Sequence, residues 1–292
     1  MNRNLFYEYS CIILAAIIWG LTGVVVKYSE LSVFSVLFLR LIIPVVVIIW
    51  FLNIKKLYRL FKLQFLLISM LSFVRLCLHV FAFKYTTSLG MCLILIYMWP
   101  LFHYLVVCLF RKELFSYNTF YCIAASFIGV VIIFCTYPLH GDILQLSVYL
   151  AAILSAMITG VNMYFIKSYC HQLKPIDIVF VFNFFGALCV APFYNRFNYI
   201  MTSQLFYGFY YGFFIGVISF LLFFKSLQKV QSSSASVLTY VEVPVTIILG
   251  VFLFNEGVSV STLIGGLLIL GASLSLVIFS KESRYSSVVT NV

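Results

Sequence analysis

The sequence predicts an all-α integral membrane protein of ten transmembrane helices, built as two inverted five-helix repeats with N- and C-termini cytoplasmic. Three observations carry that prediction. The 292 residues are 64% hydrophobic and only 9% charged, with a mean hydropathy of +1.14, more apolar surface than a water-soluble fold can cover. The apolar residues gather in runs of about 20, the length a helix needs to cross the hydrocarbon core. The basic residues lie almost wholly between alternate runs, the bias that orients membrane helices.

Taken in order, the runs are 9–27, 33–53, 64–83, 88–110, 117–136, 144–166, 177–194, 204–224, 232–254 and 259–280. The first follows MNRNLFYEYS, which holds one Arg and one Glu, and no small-residue cleavage site follows Lys27. It reads as a retained helix and not as a signal peptide. The connections are short, so residues 1–292 read as a single membrane domain. Of 18 Lys and Arg, thirteen fall in segments on the side of the N-terminus and three (Lys27, Lys84 and Arg196) on the other, with Arg40 and Arg75 inside runs. The formal charge of +10 is therefore topological, and nucleic acid is not expected as a partner. Eight Cys form no CxxC pair and four His form no HExxH, so no metal or cofactor is expected.

The two halves resemble each other. Residues 85–134 and 229–279 each have a small-polar start, an apolar helix with one proline, a Glu (Glu113 or Glu256) and a span with small residues. Aligning the two Glu sets Trp99 opposite Glu242 and Pro100 opposite Val243, one position short of Pro244. Earlier, WGLTGVVVK (19–27) pairs with TGVNMYFIK (159–167), and FVRLCLHVFAF (73–83) with VISFLLFFKSL (217–227). The repeats thus cover 9–136 and 144–280. Each has an odd number of spans, so the second enters the membrane upside down, a recurring plan of secondary transporters.

Trp19-Gly20 with Lys27 in the first helix, Arg40 in the second, and the proline-to-Glu pattern closing the fourth and ninth resemble the EamA family of the drug/metabolite transporter superfamily. The likeness spans nearly the whole chain and is densest in YVEVPVTIILGVFLFNEGVSVSTLIGGLLILGASL. The chain departs from the family in having Glu242-Val243-Pro244 where Glu-Pro is frequent, and Asn255 where Gly is usual. The resemblance implies a multi-pass transporter of the bacterial inner (cytoplasmic) membrane. It also implies amino acids or similar metabolites as cargo, S-adenosylmethionine among them.

Of the acidic residues, Glu242 lies deepest in a run, with Ser236, Thr239 and Thr246 at helical spacing on one face. A carboxylate in hydrocarbon costs several kcal/mol if charged, so it must face a cavity, hold a proton or meet a cation. Arg75 and Arg40 are the candidate cations. Either ion pair would serve a structural lock or a binding site, and both readings stay open; Arg40 would also reach the interface by snorkelling. Helix 3 adds His79 to Arg75, and helix 4 adds Tyr97, Trp99 and His103. Trp19, Asn162, Asn183 and Tyr240 complete the candidate substrate-binding set. Glu113 and Glu256 read as charges at the start of the following helix, and Ala124, Gly129, Gly265, Gly266 and Gly271 as close helix contacts.

Together these features predict an alternating-access carrier, secondary-active or facilitative, for a small zwitterionic metabolite. Arginine would meet a carboxylate and Glu242 an amino group. Membrane lipids are implied partners, and protons are a candidate coupling ion through Glu242. The absence of a P-loop argues against nucleotide-driven transport. Two other classes compete: an intramembrane enzyme acting on a lipid-linked substrate, and a non-transporting receptor or assembly subunit. The first would need paired acids or a nucleophile, which the sequence does not offer.

Overall fold

The computed structural model describes residues 3–52, 62–111, 121, 124–125, 127–129, 131–132, 143–169, 174–196, 202–230, 235, 238–272 and 275. No strand occurs among them. The first run becomes α1 (Arg3–Gly20) and α2 (Thr22–Tyr28), separated at Leu21, whose N–H donates to Ile18 O at 3.3 Å. Next come α3 (Val33–Ile48), α4 (Leu63–Tyr85), α5 (Leu89–Ile96) and α6 (Trp99–Arg111). Then follow α7 (Ile143–Tyr169), α8 (Pro175–Val190), α9 (Thr202–Tyr210), a π-helical stretch (Tyr211–Ile218) and α10 (Ser219–Leu227). The described chain closes with α11 (Glu242–Phe254) and α12 (Val260–Ala272).

Among the described residues, seven stretches are long and apolar enough to cross a membrane, beginning with Phe6–Tyr28 and ending with Gln204–Leu227, and α11 and α12 are shorter apolar helices. The bounds of the seven fall within a few residues of the predicted runs, whereas α11 opens ten residues into the predicted ninth run. Of the predicted fifth run, the described residues between 121 and 132 are helical; Glu113 and Ser236 lie outside the described residues.

Local chemistry sets the starts. The Ser32 and Ser88 hydroxyls accept from Ser35 N (3.2 Å) and Met91 N (3.3 Å), capping α3 and α5. Pro175 opens α8 where no N–H is needed, and the Asp177 carboxylate accepts from Lys174 N at 3.4 Å. The Ser259 hydroxyl accepts from Thr262 N at the head of α12.

Burial sorts the faces. Trp50, Phe252 and Leu267 are exposed to what must be lipid, whereas all eight residues of α5 are buried. Helix α5 packs chiefly against α7 and α11 and is the centre of the bundle. Small residues permit the tightest crossings. A Cβ on Gly129 would stand 2.7 Å from Gly265 O, so these two glycines mark a close contact of the kind the sequence predicts, whereas Gly271 meets nothing within 4 Å.

The spans that carry Pro100 and Pro244 break where those prolines remove donors, whereas α3 runs on through Pro44. Helix α5 ends at Ile96 and α6 starts at Trp99, with Met98 N–H donating to Leu95 O at 3.2 Å. In the corresponding place of the other half, Val243 N–H turns to Tyr240 O at 3.1 Å, just inside α11. The two breaks touch: the rings of Tyr97 and Tyr240, which occupy equivalent positions when Glu113 and Glu256 are aligned, lie 5.2 Å apart.

Candidate functional site

Around these breaks the helices enclose a cavity of ≈ 160 Å³. Nine of the eleven sequence-predicted residues line it: Trp19, Arg40, Arg75, His79, Tyr97, Trp99, Asn162, Asn183 and Glu242. His103 and Tyr240 do not. The His103 Nδ1 sits 3.2 Å from Gly160 O at the contact between α6 and α7, and Tyr240 lies behind Tyr97.

The two arginines are held differently. Arg40 is buried, only 4% exposed, and does not snorkel. Its Nη1 donates to Asn183 Oδ1 at 2.9 Å, and Asn183 Nδ2 donates in turn to Val179 O at 2.7 Å. The Tyr211 and Phe220 rings approach its Cζ at 5.4 and 5.3 Å, a cation–π sandwich that replaces part of the lost hydration. The π-helical stretch makes the room: a Cβ on Gly216 would lie 2.6 Å from Arg40 Nη1. Such wide turns interrupt α-helices most often at functional sites. Arg75, from α4, lines the same cavity, yet its guanidinium makes no hydrogen bond or ion pair with another described residue. It lies within electrostatic reach of Tyr211 and Glu242.

Glu242 opens α11 and is 7% exposed. It forms no ion pair among the described residues, so neither lock expected from the sequence is made in this conformation. Instead the Tyr97 hydroxyl stands 2.7 Å from Glu242 Oε2 and donates to Thr239 O at 2.6 Å. Thr246 anchors the same helix by donating to Gly20 O at 3.0 Å.

Four buried polar atoms on cavity-lining residues have no hydrogen-bond partner among the described residues: Trp19 Nε1, Arg40 Nε, His79 Nδ1 and Asn162 Oδ1. Asn162 Nδ2 is spoken for by the Ser72 hydroxyl at 2.7 Å. Trp19 is wedged between Phe220 and Phe223, with ring centroids 5.2 and 5.1 Å away. Unsatisfied buried groups are rare in native interiors, and all four belong to side chains that line the cavity. The cavity wall therefore combines unsatisfied polar side chains, an uncommitted guanidinium and an apolar box. The described residues hold no cluster of His, Cys, Asp and Glu that could bind a metal ion.

Sequence reasoning missed Tyr211, Phe220 and Phe223. Aromatics make up 19% of the chain, so none of these stood out. The usable signal was the Gly212–Gly216 pair at helical spacing, which marks where another helix must come close.

Glu256 corrects an expectation. It does not serve the start of the helix that follows it; it accepts from Leu89 N at the head of α5 (2.8 Å) and from Lys27 Nζ (3.0 Å). The charge still meets a helix N-terminus, but one distant in sequence.

Helices of membrane-spanning length around a largely apolar cavity that holds charged side chains define a multi-pass membrane protein with an internal chamber. The chain belongs to the EamA-like transporter family, which matches residues 7–135 and 146–278 as two repeats. That family lies within the drug/metabolite transporter superfamily. A search of curated proteins finds no match. A solved crystal structure aligns over 92% of this chain and 97% of its own, with a TM-score of 0.63 at 17% identity, a likeness of fold alone.

Proposed function

We propose that this protein is a ten-helix carrier of the bacterial inner membrane, both termini cytoplasmic, that moves an amino acid or amino-acid derivative by alternating access. The observation that carries the reading is the uncommitted Arg75 guanidinium beside Glu242 in a cavity with four unpartnered polar atoms. An unpaired arginine at membrane depth is expensive, and a substrate carboxylate is the natural counter-charge. Glu242 then receives the amino group, and Trp19 with Phe220 and Phe223 packs the apolar part. A cavity of ≈ 160 Å³ has the volume of about five waters, the scale of a small amino acid. S-adenosylmethionine, larger and carrying a sulfonium, would need a wider opening and ranks second. Glu242 is also the proposed proton-coupling site, being the carboxylate that lines the cavity.

The test is uptake of labelled amino acids, and of S-adenosylmethionine, into proteoliposomes carrying the wild type, Arg75→Ala or Glu242→Gln, with and without an imposed pH gradient. Loss of uptake in both variants supports the reading. Uptake and affinity unchanged in both would overturn it, and indifference to the gradient would leave exchange or facilitated diffusion as the mode.

A further inference from the structure

We infer that Tyr97 is the positioning residue that ties the proton on Glu242 to the backbone of the broken ninth span. The inference deepens the carrier reading and rests on it for its consequence in transport, but its geometry stands alone. Pro244 has no N–H to give Tyr240 O, its acceptor in a regular helix. Tyr240 O takes the Val243 N–H instead, at 3.1 Å. In an unbroken helix that N–H would serve Thr239 O; here the Tyr97 hydroxyl donates to this carbonyl at 2.6 Å. The same phenol oxygen is 2.7 Å from Glu242 Oε2.

A phenol carries one proton. It cannot donate fully to a carbonyl and a carboxylate at once, and the carbonyl has no proton to offer. Both short contacts are satisfied together when Glu242 is a carboxylic acid that donates to the Tyr97 oxygen while Tyr97 donates to Thr239 O. When Glu242 loses its proton to water in the cavity, only an O–H bond breaks, yet the single remaining proton must choose. A charged acceptor makes the stronger bond, so Tyr97 turns to the carboxylate and gives up its bond to Thr239 O. The ionisation of one side chain thereby removes a hydrogen bond from the hinge of α11. Arg75 on α4 faces Glu242 as the nearest cation, with Tyr240 adjacent and Arg40, His79 and Tyr211 further along the cavity. Glu8 on α1 and Lys27 on α2 are committed to other partners.

The experiment needs no substrate. Melting of the purified protein in detergent is followed from about pH 5 to about pH 9 for the wild type, Glu242→Gln and Tyr97→Phe. The glutamine amide donates where the acid did, so Glu242→Gln matches the wild type at low pH. Across the range the wild type falls about 2–4 °C relative to Glu242→Gln, and in Tyr97→Phe, which offers the carboxylate no O–H, that fall sets in at higher pH. The inference is overturned if wild type and Glu242→Gln share one pH profile, or if Tyr97→Phe keeps the wild-type profile. Should Tyr97→Phe not fold, infrared spectroscopy decides. A protonated-carboxyl C=O band at neutral pH, absent in Glu242→Gln, is expected, and its absence from the wild type overturns the proposal. Failed uptake with the melting profile intact would strike the carrier reading and leave this one standing.

Discussion

Two arginines share one cavity and are held differently. Arg40 is fixed by Asn183, by two ring faces and by the gap at Gly216, which is the environment of a scaffold charge. Arg75 is held by none of these. Arg40→Lys should therefore lower the melting temperature, because a lysine neither stacks as a plane on Tyr211 and Phe220 nor keeps the Asn183 bond in the same geometry. Arg75→Ala should leave melting within a degree or two and abolish substrate-induced stabilisation, about tenfold or more in apparent affinity for a charge-assisted contact of ~1.5–3 kcal/mol. The two variants compared by thermal shift, with and without amino acid, separate the roles; equal loss of stability in both would show that they do not differ. Gly216→Ala probes the same site from behind. With a methyl driven to 2.6 Å from Arg40 Nη1, the guanidinium must move, and overpacking of ~1–3 kcal/mol should appear as a clear drop in melting temperature.

At the scale of the elements, the prolines at 100 and 244 do more than bend their spans. Pro244→Ala returns an N–H to Tyr240 O and frees Val243 N–H for Thr239 O, the carbonyl that Tyr97 holds. The variant should melt no lower than the wild type, yet its uptake should fall several-fold, a stability–activity trade of the kind seen when a hinge is made regular. Circular dichroism with proteoliposome uptake checks both halves of that statement. These breaks also show what the sequence could disclose. Glu242 and Arg75 were readable because charge within an apolar run has few explanations, and the spans were readable because lipid tolerates no unsatisfied backbone. Tyr97 was readable only as a polar aromatic near a proline, since its link to Thr239 O joins residues 142 positions apart. Tyr211 was hidden because a π-helical stretch leaves no mark in hydrophobic periodicity. Glu256 misled because an unpaired helix N-terminus binds any carboxylate that reaches it, and proximity in sequence suggested the wrong helix.

The whole molecule is fastened at both ends of the bundle. At one end Lys27, Glu256 and the head of α5 join spans one, four and nine. At the other, the Glu8 carboxylate, buried on α1, accepts from Lys229 Nζ at 2.6 Å and from the Ser226 hydroxyl at 2.8 Å, while Lys167 Nζ donates to Leu227 O at 2.8 Å. Glu256→Ala leaves Lys27 partly buried without its carboxylate and takes one of two side-chain acceptors from the head of α5, so it should lower melting by several degrees, for a loss of roughly 3 kcal/mol. Mass spectrometry after maleimide treatment should then find Cys92, fully buried on α5, labelled faster than in the wild type. The Glu8 hydrogen bond holds the Lys229 ammonium above its ordinary range. Its contribution is complete below the unfolded lysine value of about 10.4 and fades only as pH rises through the higher folded value. A scan between about pH 5 and about pH 9 therefore leaves that fastening intact.

Helix α5 also has a bearing on how the chain is made. Its eight residues are all buried, and its main neighbours, α7 and α11, are translated later, α11 about 150 residues later. While the ribosome is still at work, Leu89–Ile96 has no permanent surroundings and must wait in a provisional place. Biogenesis of this protein is thus not a matter of finishing one half and then the other: the centre is laid down early and is walled in last.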